Sequence, residues 1–112
     1  MTDEFDLIHR YFSGLTPAGA GVLRGPGDDC ALLRPPTDHD LAVSIDTLVE
    51  DVHFPAATAA ADVGWKALAC GLSDLAAAGA RPAWCLLSLT LPAVDETWLA
   101  GFAEGFGALA RR

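Results

Sequence analysis

The sequence predicts an α+β domain in which helices lie on one face of a mixed sheet. Three segments show the helical spacing of apolar residues, and three others show the composition or alternation of strands. The chain of 112 residues is 52% hydrophobic and 20% charged, which is too apolar for a disordered chain. We therefore expect one compact domain over residues 1–112, because this length is too short for two.

Three helices are predicted. The first covers residues 3–12, where acidic side chains in the first turn suit the helix dipole. The second covers the alanine-rich residues 60–78 and ends at Gly79. The third begins after Asp95, which is suited to an N-cap position. The apolar stripe of this third helix consists of Leu99, Phe102, Phe106 and Leu109.

Strands are predicted over residues 30–33, 41–49 and 83–91. A loop rich in glycine and proline is predicted over residues 15–27. The segment 41–49 alternates between an apolar face and a small, polar face. The segment 83–91 is apolar on both faces, so both faces should be covered.

The charge balance restricts the class of partner. Lys and Arg number 7 against 15 Asp and Glu, which gives a net charge of -8 and disfavours nucleic acid and anionic membranes. A phosphate substrate would need metal ions for neutralisation, because Lys66 is the sole lysine. The three cysteines lack metal-site spacing, and the start is acidic where a signal peptide would be basic. We expect a cytoplasmic protein with free thiols.

In three segments, carboxylates occupy positions where their ionisation is unfavourable unless they are paired or solvated. The stretch GDDCALL places the adjacent Asp28 and Asp29 directly before an apolar run. Ser44 and Asp46 lie together on the polar face of the second predicted strand, and Asp74 lies within an otherwise apolar helical stripe. Oxygen ligands of this kind suit Mg²⁺, which is usually shared with substrate phosphates.

Simpler interpretations remain open for each of these residues. The adjacent aspartates could form a solvated turn, and Asp46 could cap a neighbouring loop. Asp74 could pair with Arg81 or Lys66, which is the commoner arrangement of a buried acid. His53 is by default a surface histidine or one whose hydrogen bonds are satisfied within the fold. The residues by themselves predict a soluble α+β domain with a candidate divalent-metal site.

Four motifs in order carry a more specific signal. They are GDDCALL, LAVSIDTLVEDVHF, DVGWKALACGLSDLAAAGARP and LSLTLP. This succession resembles the N-terminal domain of the thiamine-monophosphate kinase family, and it covers nearly all of the chain. The wider superfamily, which includes aminoimidazole ribonucleotide synthetase, shares the fold.

The resemblance implies an ATP-dependent phosphorylation of thiamine monophosphate to thiamine diphosphate, with several Mg²⁺ ions. It implies metal ligands at Asp29, Ser44, Asp46 and Asp74, with Asp28 close by. It also implies that His53 contacts the thiamine phosphate. No side chain is assigned as a general base, because the attacking phosphate oxygen is already ionised at neutral pH.

The resemblance also concerns assembly and length. It implies a homodimer in which the sheets of two N-terminal domains form a barrel. A second domain and the adenine site would lie beyond Arg112, so this chain by itself should be inactive. The family usually has glycine where this chain has Asp51, a change that concerns the substrate pocket. Two alternatives are a non-catalytic dimerisation module and a sibling ATP-dependent enzyme acting on another small molecule.

Overall fold

The computed structural model describes residues 3–16, 19 and 21–112. The chain forms two compact units, Met1–Leu41 and Ala42–Arg112, and each is described by itself.

The first unit begins with a capped helix. Helix α1 spans Glu4–Tyr11, and a single 3-10 turn, Ser13–Leu15, follows it. The side chain of Asp3 accepts a hydrogen bond from the main-chain N–H of Asp6 at 2.9 Å. The side chain of Asp6 in turn accepts one from the main-chain N–H of Asp3 at 3.4 Å. This reciprocal cap satisfies two main-chain donors that the helix itself leaves unpaired, and it fixes where α1 starts. The helix predicted over residues 3–12 is confirmed.

A small antiparallel sheet completes the first unit. Strand β1, Val22–Arg24, pairs with strand β2, Leu32–Leu33, with an irregularity in register between them. The short strand predicted over residues 30–33 is therefore confirmed in its second half. The loop predicted over residues 15–27 is wrong where β1 forms, because three residues between glycines are too few to show alternation. Residues 17, 18 and 20 of that predicted loop lie outside the described residues.

Two helices dominate the second unit. Helix α2 spans Ala60–Ala77. Gly79 follows its C-cap and has a φ of 73°, the left-handed conformation that glycine adopts readily. Helix α3 spans Glu96–Ala110, and its N-cap Asp95 accepts from the N–H of Trp98 at 3.0 Å. Both predicted helices are confirmed. Among the described residues, no helix is long and apolar enough to cross a membrane.

The core of the second unit lies between α2 and α3. Leu99 and Phe102 of α3 are 0% and 2% exposed, so the predicted stripe does face the core. Two glycines let the helix backbones meet. A Cβ at Gly105 would overlap the carbonyl oxygen of Ala61, and a Cβ at Gly64 would overlap that of Phe102. The two helices are therefore as close as main-chain atoms allow.

Two predicted strands are absent from this fold. The structure assigns no paired strand to residues 41–49 or 83–91, both fully described, so the described residues form no larger mixed sheet. Val43, Ile45 and Leu86 are 80%, 87% and 85% exposed. Alternation predicts which side chains would share a face, but a strand also requires a neighbour for its main-chain hydrogen bonds. In the part of the chain that the structure describes, no strand pairs with either segment.

The contact between α2 and α3 predicts opposite effects for two glycine substitutions. We expect Gly105→Ala to lower the free energy of unfolding by about 2 kcal/mol, because the methyl group must push the helices apart. Gly71→Ala on α2 is the matched control, since a Cβ there meets no atom within 4 Å. It should raise stability by up to about 1 kcal/mol through helix propensity. Urea denaturation followed by circular dichroism measures both. Equal effects would contradict the close contact.

Candidate metal and phosphate site

Two carboxylates and a hydroxyl meet on the exposed side of α2. Asp74 lies on this helix, while Ser44 and Asp46 lie two residues apart in the extended segment 41–49. The hydroxyl of Ser44 donates to Oδ2 of Asp74 at 3.0 Å, and the carboxyl groups of Asp46 and Asp74 share a hydrogen bond. The apolar stripe around Asp74 predicted a buried carboxylate, but Asp74 is exposed, so its charge remains solvated.

The acidity of Asp46 reflects this pairing. The hydrogen bond to Asp74 raises the pKa of Asp46 above its usual range, and repulsion from the charge of Asp74 raises it further. A small desolvation effect acts in the same direction, while the nearby His53 opposes it. When both carboxylates are ionised they repel each other, and a divalent ion bound to both would remove that repulsion.

His53 belongs to a tightly folded loop, residues 49–56, which we call the His53 loop. The carbonyl of Val49 accepts from the N–H groups of Val52 at 3.1 Å and His53 at 2.8 Å. The main-chain N–H of Asp51 donates to the carbonyl of Phe54 at 2.7 Å. A shallow pocket of about 330 Å³ is lined by residues 51–55.

The loop also fixes which nitrogen of the His53 ring carries a proton. The main-chain N–H of Val49 lies 2.8 Å from Nδ1 of His53. A main-chain N–H can only donate, so Nδ1 accepts and the proton of the neutral ring resides on Nε2. Nε2–H is thus a hydrogen-bond donor on an exposed side chain, which is the chemistry that recognises a phosphate oxygen.

Two further side chains hold the His53 loop. Asp51 adopts a φ of 63°, a left-handed conformation in which aspartate is tolerated better than most residues. Its carboxylate accepts from the N–H of Ala56 at 3.2 Å. Lys66, on α2, donates through Nζ to the carbonyl oxygen of His53. The sequence indicated neither contact, because a bond between a side chain and a distant main-chain atom produces no spacing pattern.

The remaining predicted ligands lie in the first unit. Asp28 forms an ion pair with Arg24 at 3.2 Å and accepts from the N–H of Asp29 at 2.7 Å. Gly27, just before them, has a φ of 109°. This geometry is that of a solvated turn, one of the two interpretations left open by the sequence. Within the described ranges, no cluster of three or more acidic, histidine or cysteine side chains could hold a metal ion.

Comparison with known proteins identifies the class. Residues 27–112 match the family described as AIR synthase related protein, N-terminal domain. The matched part includes α2, α3, the carboxylate pair and the His53 loop. The chain belongs to this family.

The relatives are more specific. The chain is 53% identical over 95% of its length to the thiamine-monophosphate kinase of Salmonella typhimurium. It is 54% identical over 90% of its length to that of Escherichia coli strain K12, and 40% identical over 97% to that of Bacillus subtilis. The predicted resemblance to thiamine-monophosphate kinases is confirmed. The chain spans 33%, 31% and 34% of these three relatives.

Removal of the charge at Asp46 should stabilise the chain at neutral pH. In the native state the pKa of Asp46 is raised, so its repulsion with Asp74 is fully present above that pKa. The repulsion disappears as the pH falls to the ordinary aspartate range. Asp46→Asn should therefore raise the melting temperature at pH 7, and the gain should vanish on acidification. Differential scanning calorimetry from pH 3 to pH 8 (about the range of carboxylate titration) measures this, and a gain independent of pH would contradict the pairing.

Proposed function

We propose that this chain provides the metal-binding and phosphate-binding part of a thiamine-monophosphate kinase. The observation that carries the proposal is the carboxylate pair of Asp46 and Asp74, with His53 in electrostatic range, in a chain about half identical to such kinases. In the proposed reaction, ATP phosphorylates thiamine monophosphate to thiamine diphosphate and ADP. The proposed setting is the cytoplasm.

The donor set fits Mg²⁺. Asp46 and Asp74 offer carboxylate oxygens, and Ser44 offers a hydroxyl, all hard ligands on exposed side chains. Mg²⁺ normally keeps several waters and takes one or two carboxylates together with substrate phosphates, so a cluster of two acids is sufficient. Asp28 and Asp29 are proposed as further ligands by resemblance. When bound, Mg²⁺ would neutralise the charge of the transferred phosphoryl group.

The residues of the chain act by binding and orientation. A phosphate oxygen of thiamine monophosphate forms the new bond to the γ-phosphorus of ATP, and the bond from that phosphorus to the β-phosphate oxygen breaks to release ADP. The attacking oxygen is ionised at neutral pH, so no general base is needed. Nε2–H of His53 would donate to the phosphate of thiamine monophosphate and orient it for attack.

We further propose that residues 1–112 form one N-terminal domain that dimerises. Residues 41–49 and 83–91 keep the strand pattern but pair with no strand among the described residues, and several of their apolar side chains are largely exposed. Pairing with a second copy would turn them into strands of a mixed sheet and form the barrel that the resemblance implies. Sedimentation equilibrium and hydrogen exchange at these segments test this proposal.

The first test measures metal and nucleotide binding. We expect MgCl₂ with a non-hydrolysable ATP analogue to bind this chain and to raise its melting temperature. Asp46→Asn and Asp74→Asn should each weaken binding about tenfold or more, because each removes one charged ligand. Glu104→Gln is the control, since it removes the same charge from an exposed position on α3. Isothermal titration calorimetry measures all four proteins.

The results separate the alternatives. If a folded parent chain takes up neither Mg²⁺ nor the analogue, the chain is a dimerisation module and the kinase proposal fails for it. If Glu104→Gln weakens binding as much as Asp46→Asn, the effect is one of net charge and the site lies elsewhere. Substitution of other small phosphate acceptors for thiamine monophosphate tests the sibling-enzyme alternative.

A further inference from the structure

The exposed Lys66 makes a hydrogen bond that contributes little to the stability of the core. It lies on α2 one residue after Trp65, and its ammonium group donates to the carbonyl oxygen of His53 thirteen positions earlier. It is the sole lysine of the chain. A flexible, exposed side chain loses conformational entropy when it is held in one place, so such a bond contributes little to folding. What it does is attach the His53 loop to α2.

Asp51 makes hydrogen bonds within the His53 loop. Its carboxylate holds the N–H of Ala56, and its own N–H binds the carbonyl of Phe54. These contacts lie within the loop and determine its shape. They do not determine where the loop lies relative to α2. Besides the short connection of residues 57–59 to α2, the hydrogen bond from Lys66 ties the loop to this helix.

The placement matters because α2 also carries Asp74. Lys66 and Asp74 are eight residues apart on one helix, which corresponds to about 12 Å along its axis. In its protonated form the His53 ring would lower the pKa of Asp46, so the ring lies within electrostatic range of that carboxylate. One rigid helix thus holds both the loop that carries the phosphate donor and one of the acids.

We propose that Lys66 is a positioning residue, which holds the main-chain carbonyl of His53 so that the imidazole keeps its Nε2–H tautomer. The identity of the ligand that this ring meets, the phosphate of thiamine monophosphate, rests on the proposed function. The position of the His53 ring is independent of the proposed function. Asp51 shapes the loop, and its carboxylate is engaged with the main chain of that loop.

The test compares Lys66→Met with Lys66→Arg. Methionine preserves the length of the side chain but cannot donate, while arginine can. Long-range ¹H–¹⁵N NMR of the His53 ring reads the tautomer directly, and amide exchange at Val49 reads the bond to Nδ1. We expect a single Nε2–H tautomer in the parent and in Lys66→Arg. In Lys66→Met we expect a mixture of tautomers and about tenfold faster exchange of the Val49 amide.

A control variant addresses the loop itself. Asp51→Asn keeps an acceptor for the Ala56 N–H and a residue that tolerates the left-handed conformation, so the His53 signals should remain those of the parent. A Lys66→Met ring that is indistinguishable from the parent ring would overturn the positioning role. So would a change in Lys66→Met that Lys66→Arg fails to restore.

A second readout separates this inference from the proposed function. Thiamine monophosphate is titrated in the presence of MgCl₂ into the parent and both Lys66 variants. We expect Lys66→Met to weaken binding about tenfold and Lys66→Arg to restore it. If the parent does not bind, the proposed function fails and the ring signals by themselves decide the role of Lys66. If the parent and Lys66→Met bind equally, the positioning role is overturned and the proposed function stands.

Discussion

The close approach of α2 and α3 is the constraint on which the second unit depends. Gly64 and Gly105 bring main-chain atoms of the two helices into contact, and Leu99 and Phe102 fill the remaining space. Close packing of this kind resists sliding, because any shift along the helix axes would press a carbonyl against a side chain. The helix that carries Asp74 therefore has one fixed position. Because α3 covers one side of α2, the other side of α2 is exposed to solvent.

The candidate site is built on that exposed side from weak, local interactions. No single one of them is strong, since the residues involved are exposed and water competes for each bond. Their geometry is nevertheless specific: Ser44 orients Asp74, and Val49 determines the tautomer of His53. The carboxylate pair stores electrostatic repulsion that a cation would relieve. Exposed groups that repel one another in this way contribute little to the stability of the fold.

The sequence predicted those parts of the molecule that local chemistry determines. The cap at Asp95, the stop at Gly79 and the apolar stripe of α3 all follow from nearby residues. The segments 41–49 and 83–91 were wrong as strands because strand formation requires a partner that periodicity does not supply. For the site, the two-residue spacing of Ser44 and Asp46 predicted that they lie on one face. The position of Asp74 in an otherwise apolar helical stripe marked it as a further candidate ligand. The contact of Lys66 with a main-chain carbonyl has no counterpart in sequence pattern.

The uncovered apolar side chains of residues 41–49 and 83–91 make the behaviour of the chain in solution depend on ionic strength. At low salt, a net charge of -8 keeps two chains apart even though Val43, Ile45 and Leu86 face water. At physiological salt, the repulsion is screened beyond about 8 Å, while the tendency of apolar surface to leave water persists. Strongly hydrated salts such as sulfate strengthen that tendency further. Contact between chains thus becomes more favourable as salt rises, the reverse of what an assembly held by ion pairs would show.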